Sequence, residues 1–479
     1  MASAARSIRI DPVTRIEGHG RVLIELDEQG GVSSASFQVV EFRGFEKFCE
    51  GRMLWDMPTV TSRICGFCPV SHHLASVKAA EAMLGVELPR TATLLRELLN
   101  LGQLIQSHAL HFFFCAMPDF LHAGDPAHRS VIGMLDKNKE VAGNAIRLRK
   151  VGQEIVDIVG GGRLHPVTCI PGGMTVRLEY LKRIELLKGI LGGLELAKGA
   201  VATIKSLVDK NRDSFSRFAS FSSAYMGLVD QGGALALYDG TLRVIDQDGA
   251  KLGEFAPHEY LGWLEERVDP NSWTKSVHLK QKGPVDGMYR VAPLARLNVA
   301  EKISTPLAAA EHEEFKQRGE GKPVQASLFY HYARMIELLY AVERARELIN
   351  DPEIMGPETR VPVARGGGEG VGVVEAPRGT LFHHYWAADD GRITRVNLLV
   401  STAQNKQAMD RSVTEVAKGL VKNGAIEEKE LNRLEIAIRC YDPCLSCSTH
   451  AYGRMPLEIT LQDAAGTLLA RHHHPSSSR

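Results

Sequence analysis

The chain has 479 residues and a mass of 52.6 kDa, enough to bury a large core and to build more than one lobe. Lys+Arg and Asp+Glu both number 57, so no global charge bias favours nucleic acid or an anionic membrane surface. No run approaches the ~18 apolar residues of a membrane span, and the N-terminal stretch MASAARSIRIDPV lacks the apolar core of a secretory signal. Eight cysteines spread over this length do not make a disulfide scaffold. They fit a reducing, cytoplasmic setting with metal-bound thiolates and a few buried thiols, Cys49, Cys115, Cys169 and Cys440.

Residues 20–26 alternate, Asp27 to Gly31 turn, and 32–42 alternate again, which predicts a hairpin. Leu74, Val77, Ala80 and Met83 recur at helical spacing and predict a helix over 72–85. A second helix over 92–117 is apolar on more than one side and belongs inside a helical bundle. Helices are also predicted over 139–158 and 179–208, separated by Gly160-Gly161-Gly162 and the Pro171-Gly172-Gly173 turn. Residues 215–300 are more polar and irregular, a candidate peripheral lobe, with a small hairpin after Thr241–Ile245. Helices return at 301–318 and 327–349. Strands are predicted over 371–400, turning at Ala388 to Gly391, and helices over 405–422 and 427–440. The fold class is therefore α+β and predominantly helical, with small antiparallel sheets.

Two Cys-x-x-Cys pairs, Cys65/Cys68 and Cys444/Cys447, carry the chemistry. Each spacing lets two sulfurs face one ion, and four thiolates make a soft site suited to zinc, iron or nickel. A structural zinc site and an iron–sulfur cluster both remain open on spacing alone. The pairs lie far apart in the chain, whereas zinc ribbons close locally, and each is followed by a histidine, His72 or His450. Glu17, in Arg15-Ile16-Glu17-Gly18-His19, is a candidate proton carrier. The run Gly366 to Gly372 lacks the Gly-Lys-Ser/Thr of a phosphate loop; its glycines beside Arg378 fit close backbone approach to a small buried cofactor.

Together these motifs resemble the large subunit of nickel–iron hydrogenases. The residues that carry the likeness are Arg63 to Cys68, Asp442 to His450, Arg15 to His19, Arg43 to Glu46 and Glu375 to Gly379, and it spans nearly the whole chain. Glu41 to Phe48, Gln106-Ser107-His108, Gly370 to Thr380 and Ala451 to Leu457 are most similar to the hydrogenase subunit of soluble bidirectional NAD-reducing enzymes. Relatives using NADP or another acceptor, and non-catalytic hydrogenase-like scaffold subunits, are the alternatives.

The resemblance implies the nickel–iron hydrogenase large-subunit fold with a central helical bundle, and reversible heterolytic cleavage of dihydrogen. Cys65 and Cys444 would be terminal nickel ligands, and Cys68 and Cys447 would bridge nickel to an iron carrying two cyanides and one carbon monoxide. Glu17 would take a proton from Cys444. Arg378, held by Asp442, would face the open metal position. His72 would tune a bridging sulfur, and Pro377 and Ser401 would line the cofactor pocket. Glu46 and His450 would hold magnesium, with a backbone carbonyl near Leu399–Val400. Implied partners are an iron–sulfur small subunit, diaphorase subunits carrying iron–sulfur clusters, FMN and NAD, a maturation chaperone and a C-terminal endopeptidase. Residues 1–450 would form the catalytic body. Residues 451–479 would be an extension removed on maturation, with a strand at Pro456 to Leu461 and an irregular, histidine-rich tail from Arg471.

Overall fold

The computed structural model describes residues 7–269, 271–449, 457–462 and 468–474. Its centre is a bundle of long helices, Arg90–Leu110, Lys139–Gly160, Tyr180–Lys210 and Phe329–Asn350. Arg90–Leu110 packs along both Lys139–Gly160 and Phe329–Asn350, and Tyr180–Lys210 covers the other two. Nearly every residue of Phe329–Asn350 is buried, so this helix has no polar face to speak of and forms the axis of the bundle. The helix at Lys139 ends where Gly161 takes a left-handed φ of 72°, which explains the glycine-rich break.

Small sheets surround the bundle. Gly20–Leu26 and Val32–Val39 pair as expected, and Ser7–Ile10 adds a third strand, too short to stand out in the sequence. Thr241–Ile245 pairs with Ala224–Val229 and Lys251–Phe255, and Tyr289–Arg290 joins in parallel. The side chains of this region share the core of the bundle. Gly368–Ala376, Gly379–Ala387 and Ile393–Leu399 form an antiparallel sheet. Its first turn, at Pro377-Arg378, escapes the sequence pattern, which places a turn only at Ala388 to Gly391.

The glycine run has a different purpose from the one expected. A Cβ on Gly370 would lie 2.2 Å from the Ala79 carbonyl oxygen, and one on Gly372 would lie 2.1 Å from that of Ala75. The strand is glycine-rich because the Pro69–Leu84 helix lies directly on it, not because a cofactor does. That helix starts at Pro69, where a missing N–H costs nothing, and stops at Gly85.

A fully buried charge network clamps the base of the Arg378 hairpin. Arg296 makes two 2.6 Å bonds to Glu337 and one of 2.7 Å to Glu375, and His108 bonds Glu337 at 2.6 Å. Burial alone would raise the Glu337 carboxyl, but Arg296 and His108 outweigh it and hold it at about 2. Such a network is costly to break, since either partner left alone is an uncompensated buried charge.

Leu457–Gln462 and Leu468–His474 pair as an antiparallel hairpin, so Arg471 to His474 are strand rather than irregular tail. Among the described residues, no helix is long and apolar enough to cross a membrane.

Candidate metal centre

Cys65 lies in the loop after the Met57–Ser62 helix, and Cys68 sits at the N-cap of Pro69–Leu84. Cys444 caps the short helix Leu445–Ser448, which carries Cys447. Two contacts lock this second pair in place, one of them against the N-terminal part of the chain. The Leu445 N–H donates to the Glu17 carbonyl at 3.2 Å, and the Cys444 N–H donates to Thr402 Oγ1 at 2.9 Å.

The four buried sulfurs lie within 4.8 Å of one another. Neighbouring pairs are 3.1 Å (Cys65–Cys444), 3.3 Å (Cys68–Cys447) and 3.0 Å (Cys444–Cys447) apart. Hydrogen bonds from Cys444 and Cys447 pull Cys65 down and bring Cys68 to about 6, while burial pushes Cys444 and Cys447 up. The protein by itself therefore favours a mixture of thiols and thiolates. Four thiolates at this spacing need cationic charge between them, which suits a nickel–iron pair. The remaining cysteines are different: burial pushes Cys49 and Cys440 to about 12 and Cys115 and Cys169 to about 11, so they stay inert thiols.

Arg378 projects from the Pro377-Arg378 turn, made possible by the φ of 127° at Gly379. Its Nη2 donates to Asp442 Oδ1 at 3.1 Å, and its guanidinium carbon lies 5.7 Å from the Phe67 ring centroid. Nε and Nη1 are buried with no hydrogen-bond partner among the described residues. Burial opposes its charge, but Asp442 and the sulfurs outweigh that and raise it well above its ordinary value. Donors left open beside four sulfurs are what an external ligand there would require. Burial pushes Asp442 up to about 6 against the pull of Arg378 and Arg334. Asp442 also adopts a left-handed φ of 53°, a strained conformation for a non-glycine residue.

Glu17 is held from between the two C-terminal cysteines. The Ser446 N–H donates to Oε2 at 3.0 Å, and the Ser446 hydroxyl donates to Oε1. His72 Nε2 lies 3.3 Å from Cys447 Sγ. Pro377 and Ser401 are buried; Ser401 opens the turn Ser401–Gln404, and it is its neighbour Thr402 that meets Cys444. Glu46 stands apart from the sulfurs. Its Oε1 accepts the Leu398 N–H at 2.9 Å, Lys275 Nζ is 4.0 Å from Oε2, and burial raises its pKa. The Thr449 carbonyl accepts the Arg43 and Gly44 N–H groups at 3.1 Å, so the chain approaches the Glu46 helix just before His450. His450 itself lies outside the described residues.

Sequence reasoning missed Thr402, Ser446 and His111. Ser446 had a signal, its place inside the second cysteine pair. His111 comes 3.8 Å from Asp442 Oδ1 at the start of a π-helical turn, His111–Ala116, for which composition gives no cue. A second cluster braces the loop before Glu17. Arg15 bonds Asp119 and the Cys115 carbonyl, and Arg439 bonds Asp119 at 2.7 Å and Glu435 at 2.5 Å.

A family model described as nickel-dependent hydrogenase matches residues 43–129 and 246–450, and one described as HoxL-like matches residues 7–42. The vhc subunit of the F420-non-reducing hydrogenase of Methanococcus voltae is 42% identical over 471 residues, 97% of this chain and 99% of that protein. The NAD-reducing hydrogenase HoxS subunit beta of Cupriavidus necator is 41% identical over 482 residues, with the same coverage. A crystal structure of an NAD+-reducing [NiFe]-hydrogenase in the H2-reduced state superposes with a TM-score of 0.90 at 43% identity, covering 94% of this chain and 100% of its own. With four buried sulfurs gathered at one point and this likeness running the length of the described chain, the protein belongs to the nickel-dependent hydrogenase family, as a large subunit of the nickel–iron type.

Proposed function

We propose that this chain carries the dihydrogen-activating site of a heteromeric NAD-reducing hydrogenase in the cytoplasm. The observation that carries the reading is the set of four sulfurs beside a buried guanidinium with two open donors. Cys65 and Cys444 hold nickel as terminal ligands, and Cys68 and Cys447 bridge it to iron. When bound, this centre, with two cyanides and one carbon monoxide on iron, supplies the redox and Lewis-acid chemistry that splits dihydrogen heterolytically.

Arg378 acts electrostatically. Its fixed charge and open N–H groups polarise what enters the pocket, and Asp442 keeps the fork aimed. Pro377 and Ser401 line the pocket wall. Glu17 accepts a proton from the Cys444 sulfur at a carboxylate oxygen, and Ser446 fixes that carboxylate in place. Glu46 and His450 hold magnesium at the end of the catalytic body, residues 1–450. Residues 451–479 are removed by an endopeptidase after a chaperone has delivered the metals.

Glu17→Gln tests the proton role. The amide keeps the size and can still meet Ser446 but carries no proton onward. Metal content is expected to stay at the parent level while hydrogen–deuterium exchange falls by a factor on the order of 10². Parent-level exchange in a loaded variant would remove Glu17 from the path.

Electrons leave through iron–sulfur clusters in a small subunit, reaching NAD through a flavin-bearing diaphorase. Similarity to HoxS subunit beta and to the NAD+-reducing structure supports this coupling. A second reading, a different electron acceptor, is favoured by the comparable identity to the F420-non-reducing relative. The purified complex under dihydrogen is expected to reduce NAD+, and the matured chain alone is not. A complex that reduces a dye but not NAD+ would favour the second reading.

A further inference from the structure

A row of buried side chains ends on the Cys447 sulfur. His72 Nε2 lies 3.3 Å from Cys447 Sγ, and His72 Nδ1 is 3.0 Å from His383 Nε2. His383 Nδ1 is 2.5 Å from the Tyr385 hydroxyl, which shares a 2.9 Å hydrogen bond with the Ser76 hydroxyl. All four residues beyond the sulfur are essentially inaccessible to water. The geometry follows from two periodicities. His72 and Ser76 stand one turn apart on the Pro69–Leu84 helix, and His383 and Tyr385 are alternate residues on the Gly379–Ala387 strand. The helix and strand faces interlock through these four side chains.

The direction of the row is fixed from its metal end. A metal-bound thiolate can only accept, so His72 Nε2 must carry the proton that faces it. A neutral imidazole has one donor and one acceptor, so His72 Nδ1 accepts from His383 Nε2, and His383 Nδ1 accepts in turn. Tyr385 then donates to His383, and Ser76 donates to the Tyr385 oxygen. Burial raises the Tyr385 phenol well above its ordinary range, so it remains a donor. Thr61 also borders this phenol, but its hydroxyl donates to the Met57 carbonyl at 2.7 Å. Of the acceptors within reach, the imidazole nitrogen is the more basic and lies at 2.5 Å. The opposite order would turn the His72 Nε2 lone pair toward the lone pairs of sulfur.

We propose that Tyr385 is a positioning residue for the metal centre: its hydroxyl fixes the tautomers of His383 and His72 and thereby holds an N–H on the Cys447 sulfur. The proposal rests on the reading of Cys447 as a metal-bound thiolate. It extends control of that sulfur's electron density to a side chain two hydrogen bonds beyond His72.

Tyr385→Phe keeps the ring and removes the donor. Both imidazoles are then free to exchange tautomers, and part of the population loses the N–H on sulfur. A thiolate without that hydrogen bond donates more strongly to the metals. In the matured complex, nickel and iron content are expected to match the parent. The carbon monoxide band in the infrared is expected to shift to lower wavenumber or to split, with a more negative midpoint potential. His72→Ala is expected to shift the band further in the same direction, and adding Tyr385→Phe to it should cause no additional shift. Ser76→Ala, which removes the last donor, should act in the same direction with a smaller shift, and it decides the matter if Tyr385→Phe fails to load metal. A band position and potential identical to the parent in the loaded Tyr385→Phe or Ser76→Ala enzyme would overturn the proposal. So would a Tyr385 shift fully additive with that of His72→Ala. Absence of diatomic bands from the loaded parent would instead refute the underlying assignment of the centre.

Discussion

Replacing Cys447 with alanine is expected to abolish hydrogen turnover and to remove nickel from the chain. Cys447 is central to the cluster. It lies 3.0 Å from Cys444 and 3.3 Å from Cys68, and it receives His72 at 3.3 Å. The alanine variant leaves three sulfurs, so the two metals would lose a shared ligand. Metal affinity at such sites depends on ligand number and geometry. The His72 donor would then face a void with no acceptor, a further cost of about 1–3 kcal/mol for an unsatisfied buried polar group. Metal quantification on the purified complex, beside its hydrogen uptake rate, checks both parts. Nickel at the parent level in the alanine variant would show that Cys447 is not a ligand.

Arg378→Lys is expected to spare the metals and still cost about 10²–10³ in metal-normalised hydrogen turnover, the usual loss when one preorganised donor is removed from a water-excluded site. Lysine preserves the charge, so Asp442 is not left buried and alone. It cannot reproduce a planar fork that bonds Asp442 through one nitrogen while leaving Nε and Nη1 open. Placement of the charge, more than its presence, is therefore what the variant tests. Parent-level turnover with full metal loading would mean that the open guanidinium donors do no work in the reaction.

The legibility of this chain varies with distance. The long helices follow from apolar spacing and from proline and glycine punctuation, and their ends shift by only a few residues because caps such as Gly85 and Gly161 are visible. The two cysteine pairs identify a soft metal site, but nothing in their spacing names nickel and iron; the wider motif resemblance does that. Local rules also miss what depends on long-range packing. The glycines at 370 and 372 look like a ligand loop, and only the helix lying on them reveals their purpose. Arg15 and Asp442 adopt left-handed φ values that glycine-based rules do not anticipate. Arg15 is held by partners about a hundred positions away, and Asp442 by Arg378 across the metal pocket. Ser446 could not be matched with Glu17 from sequence, because the two approach only when the ends of the chain meet. The buried row from Ser76 to Cys447 joins three separate segments and has no signature in any of them.

Infrared spectroscopy of the matured, metal-loaded complex in the triple-bond region tests the central claim most directly. If Cys65, Cys68, Cys444 and Cys447 hold a nickel–iron pair of the hydrogenase type, the spectrum will contain two cyanide bands and one carbon monoxide band, and they will move when dihydrogen is admitted. A sample with full nickel and iron occupancy and no bands in that region would contradict it.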